Sequence, residues 1–166
     1  MRMAMQLKQV GFSKIGGAVI LLGGLCVGPG ALAGGTQAVK TPLGTTIQAE
    51  VVSNPPEGSI EKQIIESLKL IRDGQFDKWM DTYCYPSRCD SEIARAQMKN
   101  FNLSTAKKSV AKCLQADDSI WVTSRKGDPA KDEIVKVFIS CGENRMPAPS
   151  SHNKLKGKWY VSQFSW

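Results

Sequence analysis

Residues 59 to 166 predict an α+β domain: N-terminal helices packed on a curved antiparallel sheet, held by two disulfides. Three observations predict it. Apolar residues recur at helical spacing from Ser59 to Leu114, the period changes to two after Ser119, and four cysteines fall within these residues.

Ser59 is suited to cap the first helix, with Glu61 in the first turn, where the helix dipole favours an anion. Ile60, Ile64, Leu68 and Ile71 recur on one face with Ile65 beside them, and Gly74 supplies the stop. Phe76, Trp79, Met80 and Tyr83 make the apolar face of a second helix, which Pro86 ends. Asp90 or Ser91 caps a third, carrying Ile93, Ala94, Met98 and Phe101. Ser104 can cap a continuation through Val110, Cys113 and Leu114; the pattern fits one kinked helix or two.

From Ser119 onward Ile120, Val122 and Ser124 alternate with Trp121, Thr123 and Arg125 as a strand. Gly127-Asp128-Pro129 turns the chain, and Ile134 to Cys141 returns it. Residues 142 to 156 read as a long polar loop. Gly157 then opens a last strand to Trp166. Residues 34 to 58, with no helical period and ending in Asn54-Pro55-Pro56-Glu57-Gly58, read as an extended arm, in which Ile47 to Val52 can form a short strand.

Residues 1 to 33 have the three parts of a secretory signal peptide. Arg2, Lys8 and Lys14 make the start positive, Ile15 to Val27 is apolar, and Ala31-Leu32-Ala33 fits a signal peptidase pocket after the helix breakers Pro29 and Gly30. Cleavage is expected between Ala33 and Gly34, giving a periplasmic or secreted protein. A retained anchor is disfavoured by the short, glycine-containing apolar run. Lipidation at Cys26 is disfavoured because Leu25 is not small.

Loss of that segment removes three basic residues and no acidic one, so the formal charge falls from +7 to +4. A mildly basic surface of this kind is not the footprint of a nucleic-acid binder, and no nucleic-acid partner is expected. Contact with an anionic lipid or polysaccharide is the sharper reading of the lysines; solvated faces are the plainer one. Cys84, Cys89, Cys113 and Cys141 remain, an even number in an exported chain, with three connectivities open. The favoured one joins Cys84 to Cys89 around the turn at Pro86 and Cys113 to Cys141 from helix to strand. No C-x-x-C is present, and the spacings do not suit a zinc site.

Arg72-Asp73-Gly74-Gln75-Phe76-Asp77-Lys78-Trp79 at a helix junction, with Gly157-Lys158-Trp159-Tyr160-Val161 in the closing strand, resembles the nuclear transport factor 2-like superfamily over residues 59 to 166. The resemblance implies a cone: a bent antiparallel sheet wrapped around helices, leaving an open-ended pocket. It also implies that a homodimer can form through the sheet face.

Trp79, Tyr83, Trp121 and Trp159 are the candidate pocket residues, and an aromatic core is the plainer reading of them. An aromatic pocket would take an apolar or sugar-like ligand. His152, the one histidine, lies in the polar loop and is expected to be exposed and without a role. Asp77 and Asp81 share a helical face and are the candidate acid and base of a small hydrolase or isomerase, although the buried side of their helix belongs to Phe76, Met80 and Tyr83. No nucleophile elbow, phosphate loop or metal-binding motif is present, and no cofactor is implied. The reading is therefore an exported, non-catalytic module for a small ligand or an envelope protein, with a pocket enzyme and a structural subunit of an envelope complex as alternatives.

Overall fold

A computed structural model of the chain describes residues 34–166. The expected signal peptide, with Cys26, lies outside the described residues. Six strands form one sheet in the order of the chain, and every pair is antiparallel. They are β1 (Gly34–Lys40), β2 (Thr46–Val52), β3 (Ile120–Lys126), β4 (Ile134–Ile139), β5 (Ala148–Leu155) and β6 (Lys158–Phe164). All the helices lie between β2 and β3: α1 (Ile60–Arg72), α2 (Phe76–Thr82), α3 (Glu92–Gln97) and α4 (Ser104–Cys113).

The α+β class is as the sequence predicts, but the helices are not N-terminal. Residues 34–52 make a hairpin at the sheet edge instead of an arm, with Ala38 opposite Gln48 and Val39 opposite Ile47. Their weak alternation hid this strand pair, because β1 is Gly-Gly-Thr-Gln-Ala-Val-Lys and only Val39 of it is buried. The 142–156 stretch is likewise not one loop. Its second half is β5, whose Pro149 and three polar residues in a row (Ser150, Ser151, His152) carry none of the β-branched signal.

Ser59 caps α1 as expected, its hydroxyl accepting from the Lys62 N–H at 3.2 Å. At the other end Gly74 takes a φ of 73° that an L side chain rarely adopts, and the Gln75 N–H returns to the Leu70 carbonyl at 2.8 Å. Ser91, rather than Asp90, caps α3. The two-helix question is resolved by a π-helical stretch, Met98–Leu103, that joins α3 to α4 without a break. This widened turn buries Met98 and Leu103 while Phe101 stays exposed.

The core lies between the helices and one face of the sheet. Ile60, Ile64, Ile65, Leu68 and Ile71 of α1 meet Val52, Ile120, Val122, Val135, Val137 and Ile139. Each such side chain contributes ~1.5–3 kcal/mol by leaving water. Trp79 is fully buried among them, its indole N–H donating to the Ser67 hydroxyl on α1.

Both favoured disulfides are present, Cys84–Cys89 and Cys113–Cys141. The first closes a loop around a 3-10 turn, Pro86–Arg88, beside the outer edge of β6. There Tyr83 and Tyr85 exchange backbone hydrogen bonds with Val161, and Arg88 donates to the Ser162 carbonyl. That segment covers the β6 edge, which would otherwise present unpaired backbone groups. The second disulfide ties the end of α4 to the chain just past β4. Cystines of this kind point to an oxidising compartment. Among the described residues no helix is long and apolar enough to cross a membrane.

Candidate functional site

The site is a cleft of about 320 Å³ between the first turns of α1 and the β5–β6 turn. Ser59 fixes where α1 starts, and one helical period then brings Lys62, Gln63 and Glu66 to the same side. Glu57 and Gly58 close one end, Gly157, Lys158 and Trp159 the other, and Tyr83 reaches in from the end of α2.

Tyr83, Lys62, Glu66 and Gln63 are joined to partners within the wall. Tyr83 donates its hydroxyl to Glu66 Oε2 at 2.8 Å. Burial, reinforced by the Glu66 carboxylate, pushes the phenol pKa well above its ordinary value, so the tyrosine stays protonated and acts as a donor. Lys62 lies 2.9 Å from Glu57 and 3.7 Å from Glu66. Those carboxylates raise its pKa, the Glu57 hydrogen bond first, and the ammonium remains charged. The Gln63 Nε2 donates to the Trp159 carbonyl at 2.6 Å, joining the two walls.

Behind Gln63 lies a second polar layer. His152 is buried on β5 with no exposed surface, with Nδ1 2.9 Å from Gln63 Oε1 and Nε2 2.8 Å from the Ser150 hydroxyl. Because the Gln63 NH2 is committed to a carbonyl, its Oε1 faces the imidazole and Nδ1 carries the proton. Nε2 then accepts from Ser150. Burial lowers the His152 pKa to about 3, so the ring is neutral. The expectation of an exposed, idle loop histidine is corrected on both counts: it lies on a strand facing the core, and it joins the buried Ser150 to the half-buried Gln63. A hydroxyl, an imidazole and an orienting amide in line have the geometry of an activated nucleophile. Yet Ser150 and His152 are both fully buried and neither lines the cleft, so no substrate carbonyl reaches the hydroxyl.

Of the four candidate pocket residues, the structure brings Tyr83 and Trp159 together in the cleft. Trp79 lies in the core, edge-on to Phe164 at 5.5 Å. Trp121 lies on the other face of the sheet, opposite Val51, away from the other three. Asp77 and Asp81 are on the solvent side of α2, paired with Lys99 at 2.7 Å and Arg95 at 2.8 Å, and line none of the described cavities. Sequence reasoning missed Lys62, Gln63 and Glu66. Lys62 and Glu66 lie off the apolar stripe of α1, and nothing in a single sequence tells a solvated helix face from one that a distant hairpin overhangs.

A neighbouring hollow of about 370 Å³ lies on the far side of the Tyr83–Glu66 pair, lined also by Lys69, Leu70, Lys78 and Thr82. The hydrogen bond between Tyr83 and Glu66 therefore stands as a partition between two adjoining depressions. No family model matches the chain, and comparisons with curated proteins and with solved structures find no match either.

Proposed function

We propose that the protein is an exported, non-catalytic module that binds a small sugar-like ligand in the cleft between α1 and β6. The observation that carries this reading is the meeting of Trp159 and Tyr83 with Lys62, Gln63 and Glu66 around one open cavity. An indole beside hydroxyl, amide, carboxylate and ammonium groups suits a ring with an apolar face and a polar rim. The charges are mixed, with Lys62 paired to Glu57 and Glu66 and Lys158 the one wall charge outside these pairs, which favours a neutral or zwitterionic ring over a multiply charged one. The export signal and the two cystines support action in the cell envelope or outside the cell.

The likeness to the nuclear transport factor 2-like superfamily belongs to the same proposal. Its closing-strand motif, Gly157-Lys158-Trp159, supplies one wall of the cleft. The cone that this likeness implies would have the cleft at its mouth.

The test is calorimetric titration of the mature protein with short neutral, amino and acidic oligosaccharides. One class is expected to bind, and Trp159→Ala is expected to abolish binding while Trp121→Ala on the opposite face leaves it intact. Absence of binding by all three classes, or equal losses in both variants, would overturn the reading.

A second reading, a protein partner, is favoured by one observation. Among the described residues the outer edge of β1 pairs with no strand and meets only the Asn144 N–H at the Lys40 carbonyl, whereas the edge of β6 is bridged by residues 83–85. Strand addition at β1 would produce a dimer or a heterocomplex, which light scattering on the mature protein detects.

A further inference from the structure

The sheet face turned away from the helices carries a patch that the cleft does not use. In β4, Val135, Val137 and Ile139 are buried, so Ile134, Lys136 and Phe138 point outward. Register extends this face: Lys126 lies opposite Lys136, Ile134 opposite Asn153, Asn153 opposite Tyr160, and Leu155 opposite Lys158. Ile134 and Leu155 are therefore diagonal neighbours in the middle of the patch, 55% and 37% exposed. Lys136, Lys158 and Tyr160 border them.

Three features set this patch apart from an ordinary solvated surface. First, Lys126 and Lys136 are directly opposite each other, an arrangement that costs stability when nothing neutralises it. Neither is ion-paired among the described residues. Second, no outward position of β3 to β6 carries a carboxylate. Two of the three acids of the adjoining β3–β4 turn are used within it: Asp128 accepts from the Ala130 N–H at 2.9 Å, and Asp132 from the Asp128 N–H at 2.7 Å; Glu133 is the one carboxylate at the border of the patch. Third, the cations surround bare aliphatic and aromatic groups, with the Lys126 ammonium 5.6 Å from the Phe138 ring and that of Lys158 4.9 Å from Tyr160.

We propose that this face docks on the surface of an anionic lipid bilayer. Lysines alone would suit any polyanion. Ile134 and Leu155 decide between them, because a glycan gains little from exposed aliphatics, whereas a bilayer accepts them at the acyl boundary and places the lysines among phosphates. The docked face is opposite the helices, so α1 and most of the cleft wall remain accessible. Lys158 borders both surfaces and is left out of the test.

Co-sedimentation of the mature protein with vesicles of phosphatidylglycerol and phosphatidylcholine, against phosphatidylcholine alone, tests the proposal. Binding is expected only to the anionic vesicles. The K126Q/K136Q variant is expected to lose about 25-fold in partitioning, from about five-fold per lysine. The K107Q/K108Q variant, with equal charge removed from exposed positions on α4, is expected to stay within about two-fold, the surface-charge effect far from the patch being screened. The I134S/L155S variant should weaken binding and remain weak at high salt. The proposal is overturned if the anionic vesicles bind no better than neutral ones, if both lysine pairs matter equally, or if I134S/L155S binds like the parent. It is overturned too if polygalacturonate, and no vesicle, is bound through Lys126 and Lys136, which would name an acidic glycan instead.

Discussion

The His152 Nδ1–H donates to Gln63 Oε1 across 2.9 Å, and this bond ties the buried face of β5 to the second turn of α1. Gln63 is the hinge of the polar layer, because its other end donates to the Trp159 carbonyl on β6. One amide thus satisfies two groups on neighbouring strands.

Replacing Gln63 with leucine keeps the volume but leaves the imidazole N–H and the Trp159 carbonyl without partners. A buried polar group left unpaired costs ~1–3 kcal/mol. Gln63→Leu should therefore lower unfolding stability by ~2–4 kcal/mol in urea titration, with water reaching the cleft-side carbonyl and moderating the sum. Combining it with His152→Phe removes the donor as well, so the double variant should lose less than the two single losses added together. Additive losses would show that the Gln63–His152 bond contributes nothing.

The same imidazole sets a pH dependence. Its folded pKa is about 3, against an ordinary value of 6.5. Between these values the unfolded chain binds a proton that the folded chain refuses, so stability rises with pH across that window. The contribution is complete above pH 6.5 and is progressively lost as pH falls toward 3, amounting to a few kcal/mol at the acid end. Urea midpoints measured from pH 7 down to 4 should fall, and His152→Gln should flatten that slope. A parent slope identical to that of the variant would show that His152 is not buried neutral.

The fold was partly legible in the sequence for physical reasons that particular residues expose. α1 announces itself because Ile60, Ile64, Leu68 and Ile71 all face one core, and Ser59 and Gly74 mark its ends chemically. β5 was illegible because its core-facing positions include Ser150 and His152, which are buried through mutual hydrogen bonds and not through apolarity. β1 was illegible because an edge strand with one buried residue has little to alternate. The site suffered from the same blindness. Trp159 and Tyr83 could be singled out by type, but Trp121 has the same type and lies on the other face, and only register separates them.

The two disulfides are expected to contribute unequally. Cys113 and Cys141 are 28 residues apart, while Cys84 and Cys89 are 5 apart. Chain entropy alone gives about 3.6 kcal/mol for the longer loop and about 2 for the shorter. C113A/C141A should accordingly be the more destabilised double variant by chemical unfolding. C84A/C89A should instead show faster hydrogen exchange at Val161, because the segment holding that residue's N–H at the Tyr83 carbonyl is freed. Equal global losses with no local signature at Val161 would contradict this division.

Asp77 and Asp81 provide the sharpest separation between a binding module and an enzyme. Their side chains are 66% and 65% exposed, each in a single ion pair in water, and a pair of that kind contributes at most ~1 kcal/mol. Asp77→Asn and Asp81→Asn should each shift stability by less than about 0.5 kcal/mol, the usual range for surface substitutions. Oligosaccharide affinity at the cleft should be unchanged, since neither carboxylate lines it. The pairs do pin α2 to the α3 and π-helical stretch through Arg95 and Lys99, so the expected trace of either substitution is faster exchange of amides between Glu92 and Leu103. A turnover activity abolished by either substitution, with stability intact, would refute the non-catalytic reading and restore the acid–base role.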